Sequence, residues 1–149
     1  MIEFKIISIE ELKDLIYLSY ENDAELVKRF HSINIDNEEH TLEECVDTTY
    51  NRIIEAGEEA ECDIFKVLYN GEDIGYMVIF GSVLYSFAIF PSFRKKDILN
   101  LWWEGVKELF GGEFGTLIYN NNIRCLIFLL KNDMKIVAEE NNILLLKNI

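Results

Sequence analysis

The chain has 149 residues, half of them apolar and 13% aromatic, and a formal net charge of −13. That is enough chain to bury one core without a metal or disulfide staple; it is too apolar for disorder, and it lacks the roughly 18-residue apolar run of a membrane span. Cys45, Cys62 and Cys125 are far apart, His31 and His40 form no H-x-x-x-H pair, and the carboxylates follow no ligand spacing, so neither a disulfide framework nor a metal is expected.

The opening "MIEFKIISIEELKD" has neither the basic start nor the unbroken apolar core of a secretory signal, which points to a cytoplasmic protein. Charge is unevenly spread. Up to Gly81 there are 20 acidic and 6 basic residues, a balance of −14; from Ser82 onward 7 acidic and 8 basic give +1. The two halves are built for different partners.

In chain order, "FKIIS" predicts a first strand. Ser8 with Glu11 predicts a capping box opening a helix to about Tyr20, with Leu12, Leu15 and Ile16 inward. A weaker helical piece is expected around Ala24 to Phe30, then a loop over "SINIDNEEH". Thr41 and Glu44 form a second capping box, and Leu42, Cys45, Val46, Thr49, Ile53 and Ile54 recur at helical spacing until Gly57. Asn70-Gly71 sits between two strand-like runs, and "SVLYSFAIF" follows as a third strand, making an antiparallel meander.

Pro91 ends the meander, and a helix is expected from about Arg94 to Phe110 with Ile98, Trp102, Val106 and Leu109 on one side, stopped by Gly111-Gly112. Trp102 and Trp103, about 100° apart on that helix, should not both face inward; the outer one would cover a sheet edge or a second subunit of a homodimer. "FGTLIY" is a further strand, Asn122 caps a helix through Lys131, and "MKIVAEENNILLLK" is a hairpin about Asn141-Asn142. The whole reads as one mixed α/β (α+β) domain over residues 1–149 in the order β-α-α-β-β-β-α-β-α-β-β, with no repeat or linker.

The stretch "IFPSFRKKDIL" carries Ile89, Pro91, Phe93 and Arg94 in the register of V-x-P-x-(Y/F)-R-x-x-G-x-(G/A), and "NIRCLIFLLKNDM" carries Asn122, Cys125, Phe128 and Lys131 in that of N-x-x-A-x-x-(L/F)-(Y/F)-E-K-x-G-F. With the element order, these motifs resemble the GCN5-related N-acetyltransferase (GNAT) family across nearly the whole chain. The resemblance implies two central parallel strands, "LYSFAIF" and "FGTLIY", that splay to admit acetyl-CoA. It places Phe87, Ile89, Arg94, Lys95, Lys96 and Asn122 at the cofactor, with the basic triplet and a helix N-terminus receiving the diphosphate. The loop glycines of the family fall on Asp97 and Leu99, and its usual acid tyrosine falls on Leu129. Its base glutamate falls near Tyr85, whose phenol is a poor base; Tyr85 and Tyr119, each expected near a strand end by the cleft, stand as the candidate catalytic acids.

The activity so implied is direct acetyl transfer from acetyl-CoA to a cationic amine, a small molecule or a protein lysine, drawn by Glu21, Asp23, Glu25, Glu38 and Glu39. The rival readings are a catalytically degenerate GNAT-like binding module docking a basic protein, and an acidic mimic of nucleic acid. The Asn/Ile/Lys/Glu-rich composition suits an AT-rich, phage-type genome. Direct nucleic-acid binding is disfavoured, because one basic triplet does not offset the acidic surface.

Overall fold

The computed structural model describes residues 1–21, 23, 24, 26, 27 and 41–149. Seven strands form one sheet in the order β1-β2-β3-β4-β5-β7-β6. These are β1 (Ile2–Ile6), β2 (Asp63–Tyr69), β3 (Glu72–Phe80), β4 (Val83–Ile89), β5 (Gly115–Tyr119), β6 (Lys135–Glu140) and β7 (Ile143–Lys147). Helices α1 (Ile9–Tyr20) and α2 (Leu42–Glu59) precede β2, α3 (Lys96–Phe110) joins β4 to β5, and α4 (Ile123–Lys131) joins β5 to β6. All neighbouring strands are antiparallel except β4 and β5, which are parallel because α3 carries the chain back across the sheet.

Both sheet faces are covered. Leu12, Ile16, Cys45 and Ile53 from α1 and α2 pack with Tyr76 and Val78 on one face. Trp102, Trp103, Val106 and Leu129 from α3 and α4 pack with Met77, Ile79 and Leu84 on the other. Alternate β3 side chains therefore enter different cores, and Ile74 to Ile79 are buried without a break.

Each helix but α3 starts on a side-chain cap. The Ser8 hydroxyl accepts from the Glu11 amide, Thr41 and Glu44 form a reciprocal box, and the Asn122 side chain accepts from the Cys125 amide. Asn70 and Gly71 both have positive φ, 50° and 84°, which makes the β2–β3 turn the primed type that matches strand twist. Asn141 and Asn142 do the same for β6–β7.

Several expectations are corrected. The first strand is Ile2–Ile6, since Ser8 must leave the ladder to cap α1, and it pairs antiparallel with β2 at the edge of the three-stranded meander β2–β3–β4. Gly57 does not stop α2; it keeps helical geometry, and the chain turns out at Ala60. Pro91 opens a 3₁₀ turn, Pro91–Phe93, so α3 begins at Lys96 with Arg94 and Lys95 outside it. Leu109 is 42% exposed, and Trp103 takes the inward place. Both tryptophans are buried: Trp102 meets Phe87 at 5.4 Å, while Trp103 sits 5.6 Å from Phe114 and 5.9 Å from Phe128. Aromatic neighbours flank α3 on two sides, and neither ring is left over for a second subunit.

Of the expected helical piece at Ala24 to Phe30, Ala24, Leu26 and Val27 are helical and the remainder lies outside the described residues, as does the loop "SINIDNEEH". Among the described residues, no helix is long and apolar enough to cross a membrane.

Candidate active site

β4 and β5 pair at only two positions, Val83 with Gly115 and Leu84 with Thr116, reinforced by the Thr116 hydroxyl donating to the Leu84 carbonyl at 3.2 Å. Beyond that point the strands part. The cause is in β4: Ser86 lies opposite Val78 and Leu84 opposite Ile79, so Tyr85 is an extra residue, a bulge that bends the strand. Gly75 on β3 permits the bent strand's close approach, because a Cβ there would lie 2.1 Å from the Ala88 carbonyl oxygen.

The gap is a cavity of about 440 Å³, within the size range of small-molecule sites, and it runs through the sheet. On one side Ser19, Tyr20, Thr49 and Arg52 of α1 and α2 line it; on the other, Leu99, Trp102, Cys125 and Phe128 do. Alternation along the β3–β4 ladder, fixed by the Phe90 amide donating to the Ile74 carbonyl at 2.7 Å, turns the peptide groups of Phe87 and Ile89 toward this gap. The Ile89 carbonyl accordingly accepts Arg94 Nε across 2.7 Å.

Of the residues singled out in the sequence, Tyr85, Tyr119, Phe87, Ile89, Arg94 and Asn122 all line this cavity, whereas Lys95 and Lys96 stand exposed at the head of α3, outside its lining. The Arg94 guanidinium is turned inward, with Nη1 2.6 Å from Asp23 Oδ2, and the Arg94 amide donates to the Pro91 carbonyl. Lys95, the N-cap of α3, makes no side-chain cap hydrogen bond and leaves the first-turn amides open, with Asp97 the one acid in that turn. Leu129, where the family's tyrosine would fall, is wholly buried in the core.

Arg52 was not singled out in the sequence. It is the one basic residue of α2, and its Nη1 donates to the Tyr119 phenol oxygen at 2.6 Å, which leaves that oxygen's own proton to be given elsewhere. A lone cation beside Ile53 on an acidic helix was the available signal. Burial, with Tyr119 nearby, pushes the Tyr85 phenol up, while Arg52 pulls the other way, so Tyr85 is a donor and not a base. Deeper in, burial pushes Tyr76 up to about 12 against a weaker pull from its hydrogen bond to Ser86, and pushes Tyr20, bonded to the Thr49 hydroxyl at 2.7 Å, up as well. The thiols of Cys45 and Cys62 are raised by burial and then by Glu44 and Asp63 respectively, which makes them unreactive. The charged side chains lining the cavity among the described residues are Arg52, Arg94 and Arg124 against Asp23.

No protein-family model and no curated protein sequence matches the chain. Solved acetyltransferases nevertheless share its architecture along nearly its full length. The PaiA N-acetyltransferase of Thermoplasma acidophilum, in complex with coenzyme A, is 19% identical with a TM-score of 0.62, the match covering 99% of this chain and 98% of that one. An acetyltransferase of Thermus thermophilus is 14% identical with a TM-score of 0.68 over 99% and 96%. AAC(6')-Ib, an aminoglycoside acetyltransferase, in complex with ribostamycin and coenzyme A, is 12% identical with a TM-score of 0.65 over 98% and 92%. The chain thus has the fold of the N-acetyltransferases. That is the GNAT fold, which the element order implied.

Proposed function

We propose that the protein is an acetyl-CoA-dependent N-acetyltransferase acting on an amine. The observation that carries this is the unfilled gap between β4 and β5: Leu99 and Trp102, which could have plugged it, form its wall instead. The peptide edge at Phe87 and Ile89 suits the amide-rich pantetheine arm, because backbone pairing survives side-chain divergence. The first-turn amides of α3, with Lys95 and Lys96 beside them, suit the diphosphate. Asn122 caps α4 and holds its first turn, with Cys125, against the same slot.

The acceptor reaches the thioester from the α1–α2 side. Its neutral amine attacks the acetyl carbonyl carbon, a C–N bond forms, the C–S bond breaks, and the amine's surplus proton leaves to water. Tyr119, oriented by Arg52, gives its proton to the departing thiolate and regains one from solvent; Tyr85 donates a hydrogen bond beside it. Holding the two reactants together supplies most of the acceleration. The acceptor is cationic before it binds. The pull on it comes from exposed carboxylates on α1 and α2 such as Glu10, Glu11 and Glu43, not from the cleft, where Asp23 is already paired with Arg94. Glu25, Glu38 and Glu39 lie outside the described residues.

Acetyl-CoA at a hundredfold excess over its Kd is expected to raise the melting temperature by about 5 °C or more. The double variant Lys95→Ala, Lys96→Ala is expected to lose most of that shift. A wild-type protein whose melting temperature ignores millimolar acetyl-CoA would overturn the reading.

A further inference from the structure

Arg94 is the first residue of the basic triplet and, like Lys95 and Lys96, is exposed, but its side chain turns back onto the protein. It folds back under the turn, with Nε on the Ile89 carbonyl at 2.7 Å and Nη1 on Asp23 Oδ2 at 2.6 Å. Asp23 is itself built in: its side chain is 9% exposed, and Oδ1 accepts the Leu26 amide at 3.0 Å, capping the helical turn that follows α1. One guanidinium thus ties three segments together, the chain beyond α1, the last residue of β4 and the turn leading into α3. Asp23, Leu26, Ile89 and Arg94 all line the cavity.

We propose that Asp23 is a positioning residue for cofactor binding, acting through Arg94 to hold the Pro91–Lys95 turn so that the uncapped head of α3 faces the diphosphate. The geometry gives the reason. α3 has no cap of its own to fix its entry, and Arg94, the hinge residue just before its N-cap, sits at φ −80°, ψ 56°, between helix and strand. A turn in that conformation is held by its anchors, and the charge-assisted pair to a mostly buried carboxylate is the stronger of the two Arg94 makes. The planar guanidinium meets both acceptors at once, which an ammonium does not. Asp23 touches neither the diphosphate nor the acetyl group in this account.

The inference rests on the proposed function, and the test separates the two. Binding of coenzyme A and of pantetheine, which lacks the diphosphate, is measured on wild type, Asp23→Asn and Arg94→Lys. Asp23→Asn keeps shape and the cap on Leu26 and loses the charge. Its preference for coenzyme A over pantetheine is expected to fall about tenfold, the scale of one charge-assisted hydrogen bond. Arg94→Lys, which keeps the charge and loses the fork, is expected to lose less, and it carries the comparison if Asp23→Asn does not fold. An unchanged preference in the folded variants, or equal weakening of both ligands, overturns the positioning role while the enzyme reading stands. A wild type that binds no coenzyme A overturns both.

Discussion

A phenol held by a hydrogen bond presents its proton in a fixed direction, and Arg52, 67 residues away in sequence, does this for Tyr119 by donating Nη1 to its oxygen at 2.6 Å. Burial pushes the Tyr85 phenol up although Arg52 pulls the other way, which keeps Tyr85 a hydrogen-bond donor. Tyr119→Phe is therefore expected to lower kcat about a hundredfold with whichever amine turns over, the loss typical of one acid. Tyr85→Phe is expected to cost less than about tenfold. Steady-state rates at saturating acetyl-CoA check both, and equal losses would count against the assignment. The tyrosines were legible in the sequence as residues near strand ends. Arg52 was not, because its partner lies on a strand 67 positions away and helix periodicity carries no information about what faces the helix. The inward course of the Arg94 side chain was hidden for the same reason: Asp23 read as one acid among many, and only the fold brings it beneath the turn after Pro91.

At the level of elements, the cleft depends on how β4 bends, and the bend depends on two local features, the extra residue Tyr85 and the missing side chain at Gly75. A methyl group at Gly75 would meet the Ala88 carbonyl oxygen at 2.1 Å, a backbone atom that cannot swing aside as a side chain can. Gly75→Ala is expected to destabilise the protein by about 3 kcal/mol, the upper range for overpacking, since β4 must move or its ladder must break. Urea unfolding measures this, and a loss below about 1 kcal/mol would show that β4 yields freely. The Asn70-Gly71 turn, the Ser8 cap, the Thr41–Glu44 capping box and the Asn122 cap were readable because each is decided by residues within four positions of one another. The start of α3 was misplaced by two residues, since the 3₁₀ turn after Pro91 competes with the helix and the pattern of apolar residues does not distinguish them. Trp103 was misjudged because periodicity assumes one narrow buried face, whereas α3 meets Phe87 at Trp102, Phe114 at Trp103, and Phe128 at both.

Across the whole molecule, the charge asymmetry between the two halves was plain in composition, and the fold gives it a direction. Exposed acids cluster on α1 and α2, over one sheet face, while the basic triplet sits at the head of α3. An approaching amine cation and an approaching acetyl-CoA anion therefore feel opposite long-range forces before either reaches the cleft, and inside it the lining arginines outnumber Asp23. Salt screens these forces, the screening length falling from about 30 Å at 0.01 M to about 10 Å at 0.1 M. Over that range the KM of a cationic acceptor is expected to rise about threefold, that of a neutral analogue to stay level, and the association rate of acetyl-CoA to increase. Stopped-flow binding and steady-state kinetics read the three quantities separately. An acceptor KM indifferent to salt would remove attraction of the acceptor from the roles of the outer carboxylates, because attraction at a distance weakens in step with the Debye length.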